Sequence, residues 1–153
     1  MKKLWRHSEV TVENKIRCYT ELISLKSFEE RFAYLKLTGE VGDPTFGSRR
    51  KINQDFYKSD LWKRIRRRVI IRDEACDLAC HGLDICDSSL IHIHHMNSIT
   101  EYDILNLTPY AIDPEYLICT RYSTHKAIHY GSFNFVQNPF VERSPNDTCP
   151  WKK

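Results

Sequence analysis

The sequence predicts an α+β fold. Apolar residues recur at helical spacing through the first third of the chain, a β-branched run appears near its middle, and a second short run leads into a helix ending at glycine. With 153 residues, 41% of them apolar and 28% charged, the chain suits one packed core with extensions better than two separate cores.

Between Thr11 and Leu37, the residues Val12, Ile16, Tyr19, Leu22 and Ile23, then Phe28, Phe32 and Leu35, predict two helices joined near Ser24 to Ser27. Gly39, Gly42, Pro44 and Gly47 interrupt this pattern, so residues 38–55 are expected to form a loop or linker. Residues 1–55 then form a helical arm, residues 56–132 the core and residues 133–153 an irregular tail.

Ser59 can cap a helix running to about Arg72, with Leu61, Trp62, Ile65 and Val69 as its apolar stripe. Ser88 to His95 reads as a strand, and Thr100 can start a short helix ending near Leu105. Glu115 to Cys119 reads as a second strand, and Ser123 can cap a helix ending at Tyr130 with Gly131 just beyond it. Pro139, Pro145 and Pro150 mark the tail, with Phe140 and Trp151 as its candidate anchors.

No apolar run approaches the roughly 20 residues a membrane span needs, and Met1 to Val10 carries charges where a signal peptide would be apolar. The protein is expected in the cytoplasm, without a membrane partner. There the six cysteines read as free thiols or metal ligands rather than disulfides.

The net charge of +3 conceals a strong asymmetry. Ten Lys and Arg residues lie between Arg49 and Arg72 against Asp55 and Asp60, a local balance of +8 that leaves −5 for the rest. Arg49, Arg50, Lys51, Lys63, Arg64, Arg66, Arg67, Arg68 and Arg72 are candidate phosphate contacts, because basic side chains that neutralise a polyanion release its counterions. The plainer alternative is a solvated helix face.

Five of the seven histidines fall in two clusters, Ile91-His92-Ile93-His94-His95 and His125-Lys126-Ala127-Ile128-His129. On a helix His125 and His129 lie one turn apart on one face and can present imidazoles to a single ion. A third ligand from a strand leaves coordination positions open for water and a phosphate oxygen. Taken alone, HxxxH is more often an amphipathic surface or core pair. Together with the strand pair and the basic helix upstream, it points to a metal site.

This arrangement resembles the HNH or His-Me finger endonucleases, particularly the HNH proteins of phages and mobile elements. The resemblance runs from Phe56-Tyr57-Lys58-Ser59 through Trp62, Arg72-Asp73 and Ile93-His94-His95-Met96-Asn97. It continues through Asp113-Pro114-Glu115-Tyr116-Leu117 to Thr124-His125-Lys126-Ala127-Ile128-His129-Tyr130-Gly131, about half the chain. It implies a ββα-metal core and a metal-dependent homing or phage-type endonuclease that nicks or cuts DNA, leaving 5′-phosphate and 3′-hydroxyl ends. Contact with DNA would be mainly through phosphates, and a homodimer would let one small site cut both strands. A phage-encoded chain would act in the host cytoplasm.

By the same resemblance to the colicin-type nucleases, His94, His125 and His129 bind one divalent ion and His95 is the general base. Magnesium, manganese, nickel and zinc are all candidates, and three imidazoles favour the transition metals over magnesium. Strict strand alternation would send His94 and His95 to opposite faces, so the resemblance implies a strand that ends or bends at the pair. His92 is an alternative ligand or a solvent-facing strand residue.

The chain departs from the family pattern in two places. Tyr116 occupies the position of the asparagine that orients the base, as core packing or as a substitute hydrogen-bonding group, and Asn97 and Asn106 are nearby candidates for that role. The paired CxxC motifs of many relatives are missing, so Cys76, Cys80, Cys86 and Cys119 are either an irregular structural zinc site or simply thiols. A DNA-binding module with a degenerate HNH site is the alternative function.

Overall fold

The computed structural model describes residues 15–37, 48–80, 83–85 and 88–131; of Ser48, Arg49, Leu83, Asp84 and Ser88 it describes the backbone alone. Val12, Cys86, the breakers at residues 39–47 and the tail with its anchors lie outside the described residues. Helix and strand are mixed within one packed unit, as an α+β fold requires.

The expected helical pair is present as α1, Tyr19–Ser24, and α2, Phe28–Leu35. Ser27 separates them and caps α2, with Glu30 closing a reciprocal capping box. Ile16 precedes α1, outside any regular element. Leu22 and Leu35 share a core cluster with Ala79, Met96, Ile118 and Ile128. Burying an aliphatic side chain of this size contributes about 1.5–3 kcal/mol, so the helical pair is built into the core rather than held out as an arm.

Helix α3, Ser48–Lys58, corrects the expectation of a loop or linker over residues 38–55 for its last part, residues 48–55, and residues 38–47 lie outside the described residues. The breaking glycines and proline all precede Ser48. Beyond it Ile52 and Phe56, one turn apart, pack into the core and stabilise a helix. This helix crosses the expected boundary at residue 55.

Helix α4, Asp60–Arg72, begins where expected, with Ser59 Oγ accepting the Trp62 N–H at 3.1 Å. Trp62, Ile65 and Val69 are buried along it, and Lys63, Arg64, Arg67 and Arg68 are exposed on the opposite side. Strands β1, Cys76–Asp77, and β2, Leu83–Asp84, form a small antiparallel pair that the sequence reading did not anticipate.

Strand β3 is Ile91–His95, preceded by a 3-10 turn at Ser88–Leu90 where strand had been expected. Helix α5, Glu101–Leu105, starts from the expected Thr100 cap, and α6 is Pro109–Ile112. Strand β4 is Leu117–Arg121, starting later than expected because Asp113 and Pro114 set up a 3-10 turn over Pro114–Tyr116. It pairs antiparallel with β3, with His94 opposite Ile118 and His95 opposite Leu117.

Helix α7, Tyr122–Tyr130, follows β4 directly, so Arg121 rather than Ser123 takes the cap position and no side chain caps the helix. Gly131 ends it in the left-handed conformation, φ 63°, which glycine adopts without steric cost.

Alternation along β4 divides the core. Leu117 and Cys119 face a cluster with Trp62, Ile65 and Val69, while Ile118 faces the cluster with Leu22 and Met96. The edge of β4 away from β3 is satisfied by the last residue of α4 and the segment that follows it. Arg72 donates to the Leu117 carbonyl at 2.6 Å and the Leu78 N–H to the Cys119 carbonyl at 3.0 Å. Asp73 accepts from the Cys119 N–H at 2.7 Å, and Asp77 from the Arg121 N–H at 3.0 Å. A two-stranded sheet is thereby held without further strands. Among the described residues no helix is long and apolar enough to cross a membrane.

Candidate metal centre

Helical spacing places His125 and His129 on the face of α7 that looks toward β3, with their Nε2 atoms 3.2 Å apart. The β3–β4 register then brings in His94, whose ring meets both edge-on, at 5.2 Å and 81° to His125 and 5.1 Å and 85° to His129. One ligand atom from each of the three lies within 4.8 Å of the others, and this is the set of histidine, cysteine or carboxylate side chains among the described residues that could hold a metal ion.

The residues fit such an ion on two grounds. Two imidazole nitrogens sharing a tetrahedral ion at about 2.0–2.1 Å each would lie about 3.3 Å apart, close to the separation that His125 and His129 already have. His94 is 1% exposed, and its Nε2 is buried without a hydrogen-bond partner among the described residues. An unmet polar atom of this kind costs about 1–3 kcal/mol, which a ligand bond would offset.

Protonation favours ligation as well. Burial drives His94 well below the ordinary histidine range, with the neighbouring His125 and His129 adding to the effect. Burial likewise pulls His125 down to about 4 and lowers His129. The lowered values favour the uncharged imidazole at neutral pH, the form that ligates a metal ion.

His95 follows His94 at the end of β3 and takes a different environment. Its ring stacks on Trp62, with centroids 5.4 Å apart and planes 13° from parallel, and lies edge-on to Tyr57 at 6.3 Å. Its Nε2 lies 3.2 Å from the Ala111 carbonyl oxygen. A carbonyl only accepts, so Nε2 carries the proton and Nδ1 holds the lone pair in the neutral ring. Burial pulls His95 down to about 4 against the opposing effect of this hydrogen bond.

The two adjacent histidines nevertheless line one cleft of about 480 Å³, together with Tyr57, Asn97, His125 and His129. The end of the strand at His95 permits this despite alternation.

The other expected orienting residues are engaged elsewhere. The Tyr116 ring packs on Tyr110 at 4.9 Å, and its backbone carbonyl accepts from the Met96 N–H. Asn97 Oδ1 accepts from the Arg17 N–H and its Nδ2 donates to the Arg17 carbonyl, each at 2.8 Å. Asn106 Nδ2 donates to Tyr102 one turn back. The Ala111 carbonyl, which no side-chain motif could reveal, is the polar partner of His95. His92 is half-buried between Tyr122 and His125, with ring centroids at 5.3 and 5.7 Å, and stays outside the convergent set.

Among the described cysteines, Cys76, Cys80 and Cys119 do not gather into a ligand set. Cys119 is fully buried and Cys80 nearly so, and burial raises the Cys119 thiol to about 12 and the Cys80 thiol to about 11. Both behave as core thiols.

The basic segment divides into two groups. Arg50, Lys51, Lys63, Arg64, Arg67 and Arg68 are exposed, with Lys63 paired to Asp60 at 3.0 Å. Arg66 instead donates to the Ile91 carbonyl at 3.1 Å. Arg72 donates to Pro114, Leu117 and Asp73 and lies over the Tyr19 ring at 3.7 Å. These two are structural, because they lie on the α4 flank that meets β3 and β4. The side chain of Arg49 is outside the described residues. Comparisons of the chain with protein families, curated proteins and solved structures found no match.

Proposed function

We propose that the chain is a metal-dependent endonuclease of the HNH type, with β3, β4 and α7 as its ββα-metal core and DNA as its substrate. The observation that supports this best is the convergence of His94, His125 and His129 beside a fourth histidine, His95, that is separately oriented in the same cleft. A structural metal site would have no use for that fourth group.

A divalent ion held by the three imidazoles would polarise a phosphodiester and stabilise charge on its leaving oxygen. His95 Nδ1 would take the proton from the attacking water, a contribution of about 10²–10⁴ in rate. The hydrogen bond from Nε2 to Ala111 keeps that lone pair available and would stabilise the imidazolium formed when the proton arrives. Arg64, Arg67 and Arg68 on α4, with Arg50 and Lys51 on α3, would hold the phosphate backbone without reading sequence.

A plasmid-relaxation assay with Mg²⁺, Mn²⁺, Ni²⁺ or Zn²⁺ tests the proposal. Wild type should nick or linearise DNA, chelator should stop it, and His95→Ala should lose most of the rate while retaining metal. Tyr116 at the asparagine position favours a second reading, a DNA-binding module without catalysis. Binding without cleavage under every metal would establish that reading instead.

A further inference from the structure

We propose that Trp62 is a positioning residue for His95: its indole sets the plane of the imidazole while the Ala111 carbonyl sets the tautomer, so that Nδ1 is the proton acceptor. This deepens the reading of His95 as the base and rests on it.

One hydrogen bond does not fix a ring. The contact from Nε2 to Ala111 constrains one direction but leaves the imidazole free to rotate about the N···O axis. The Trp62 face, 13° from parallel, removes that rotation. Trp62 is itself fixed, being 7% exposed in the first turn of α4. Phe56 and Tyr57 press on its ring at 5.3 and 5.1 Å.

The second constraint also follows from local structure. The final carbonyls of a helix lack acceptor roles within it, and Ala111 is the penultimate residue of the four-residue α6. Its buried carbonyl needs a donor, and His95 Nε2–H provides one. Asparagine at position 116 is unnecessary in this arrangement, since backbone and indole together do the orienting.

The test combines ¹⁵N NMR of the imidazoles, with and without zinc, and steady-state cleavage kinetics. Wild-type His95 should be the Nε2–H tautomer. Trp62→Leu should keep that tautomer, because the Ala111 contact remains, lose the shift that the indole ring current imposes on the His95 ring protons, and lower kcat about tenfold or more, a share of what a positioned base contributes. KM and zinc affinity should stay unchanged. Trp62→Phe, which keeps a stacking face, should recover most of the rate, and it carries the test if the leucine variant does not fold.

A Nδ1–H tautomer in the wild type, or full kcat in Trp62→Leu, would overturn the proposal. If His95→Ala cleaves like wild type, the base assignment fails, whereas the tautomer and the ring-current shift still decide whether carbonyl and indole hold the ring.

Discussion

The Asp73 carboxylate, with its side chain fully buried, joins the Arg72 guanidinium to the middle of β4 by accepting the Cys119 N–H at 2.7 Å. It replaces a missing strand. Asp73→Ala would leave that buried N–H unmet and Arg72 without its carboxylate, costing about 2–4 kcal/mol. Urea denaturation measures this, and a loss below about 1 kcal/mol would show that the edge of β4 finds other partners.

Metal affinity and metal-free stability should respond in opposite directions at His94. His94→Leu removes a buried nitrogen that has no partner among the described residues, so the chelator-treated protein should gain about 1–2 kcal/mol. Zinc binding by calorimetry should fall about a hundredfold or more, since even losing an outer partner of a metal ligand costs 10–100-fold. A variant that is both less stable and still binds zinc would contradict the ligand assignment.

The exposed and tethered arginines should separate in a binding assay. Alanine at Arg64, Arg67 or Arg68 should weaken DNA binding equally for all sequences and reduce the salt slope by about 1 per residue. Arg72→Ala should instead lower thermal stability, because its guanidinium is committed to Asp73, Pro114 and Leu117. Fluorescence anisotropy between about 50 and 200 mM salt distinguishes the two groups.

The core thiols should resist modification. Burial raises Cys119 from 9.0 to about 12 and Cys80 from 9.0 to about 11, so both remain protonated as pH rises from 7 to 9, where an ordinary thiol increasingly becomes thiolate. A disulfide reagent at pH 8 should therefore label the half-buried Cys18 and Cys76 before Cys80 and Cys119. Peptide mapping that finds Cys119 labelled as fast as Cys76 would refute this.

The features legible in the sequence are those that a few consecutive residues specify. Ser59 with the stripe Trp62, Ile65 and Val69 implies α4 because capping and the 3.6-residue period are local, and the same period unites His125 and His129. Ser27, Thr100 and Gly131 mark helix ends for similarly local reasons. Helix α3 escaped this reading because the breakers immediately before it dominated the pattern around Ile52 and Phe56.

The remaining features depend on groups distant in sequence. His94 joins its partners through the pairing of β3 with β4, which sets His94 opposite Ile118. His95 is oriented by a backbone carbonyl, and every residue but proline has the same backbone groups, so Ala111 carries no mark in the sequence. Arg66 and Arg72 resemble Arg67 and Arg68 in one dimension. Their place on the α4 flank nearest the sheet directs them to carbonyls and leaves the others to solvent, because the part of a guanidinium that is taken from water must find acceptors inside the fold.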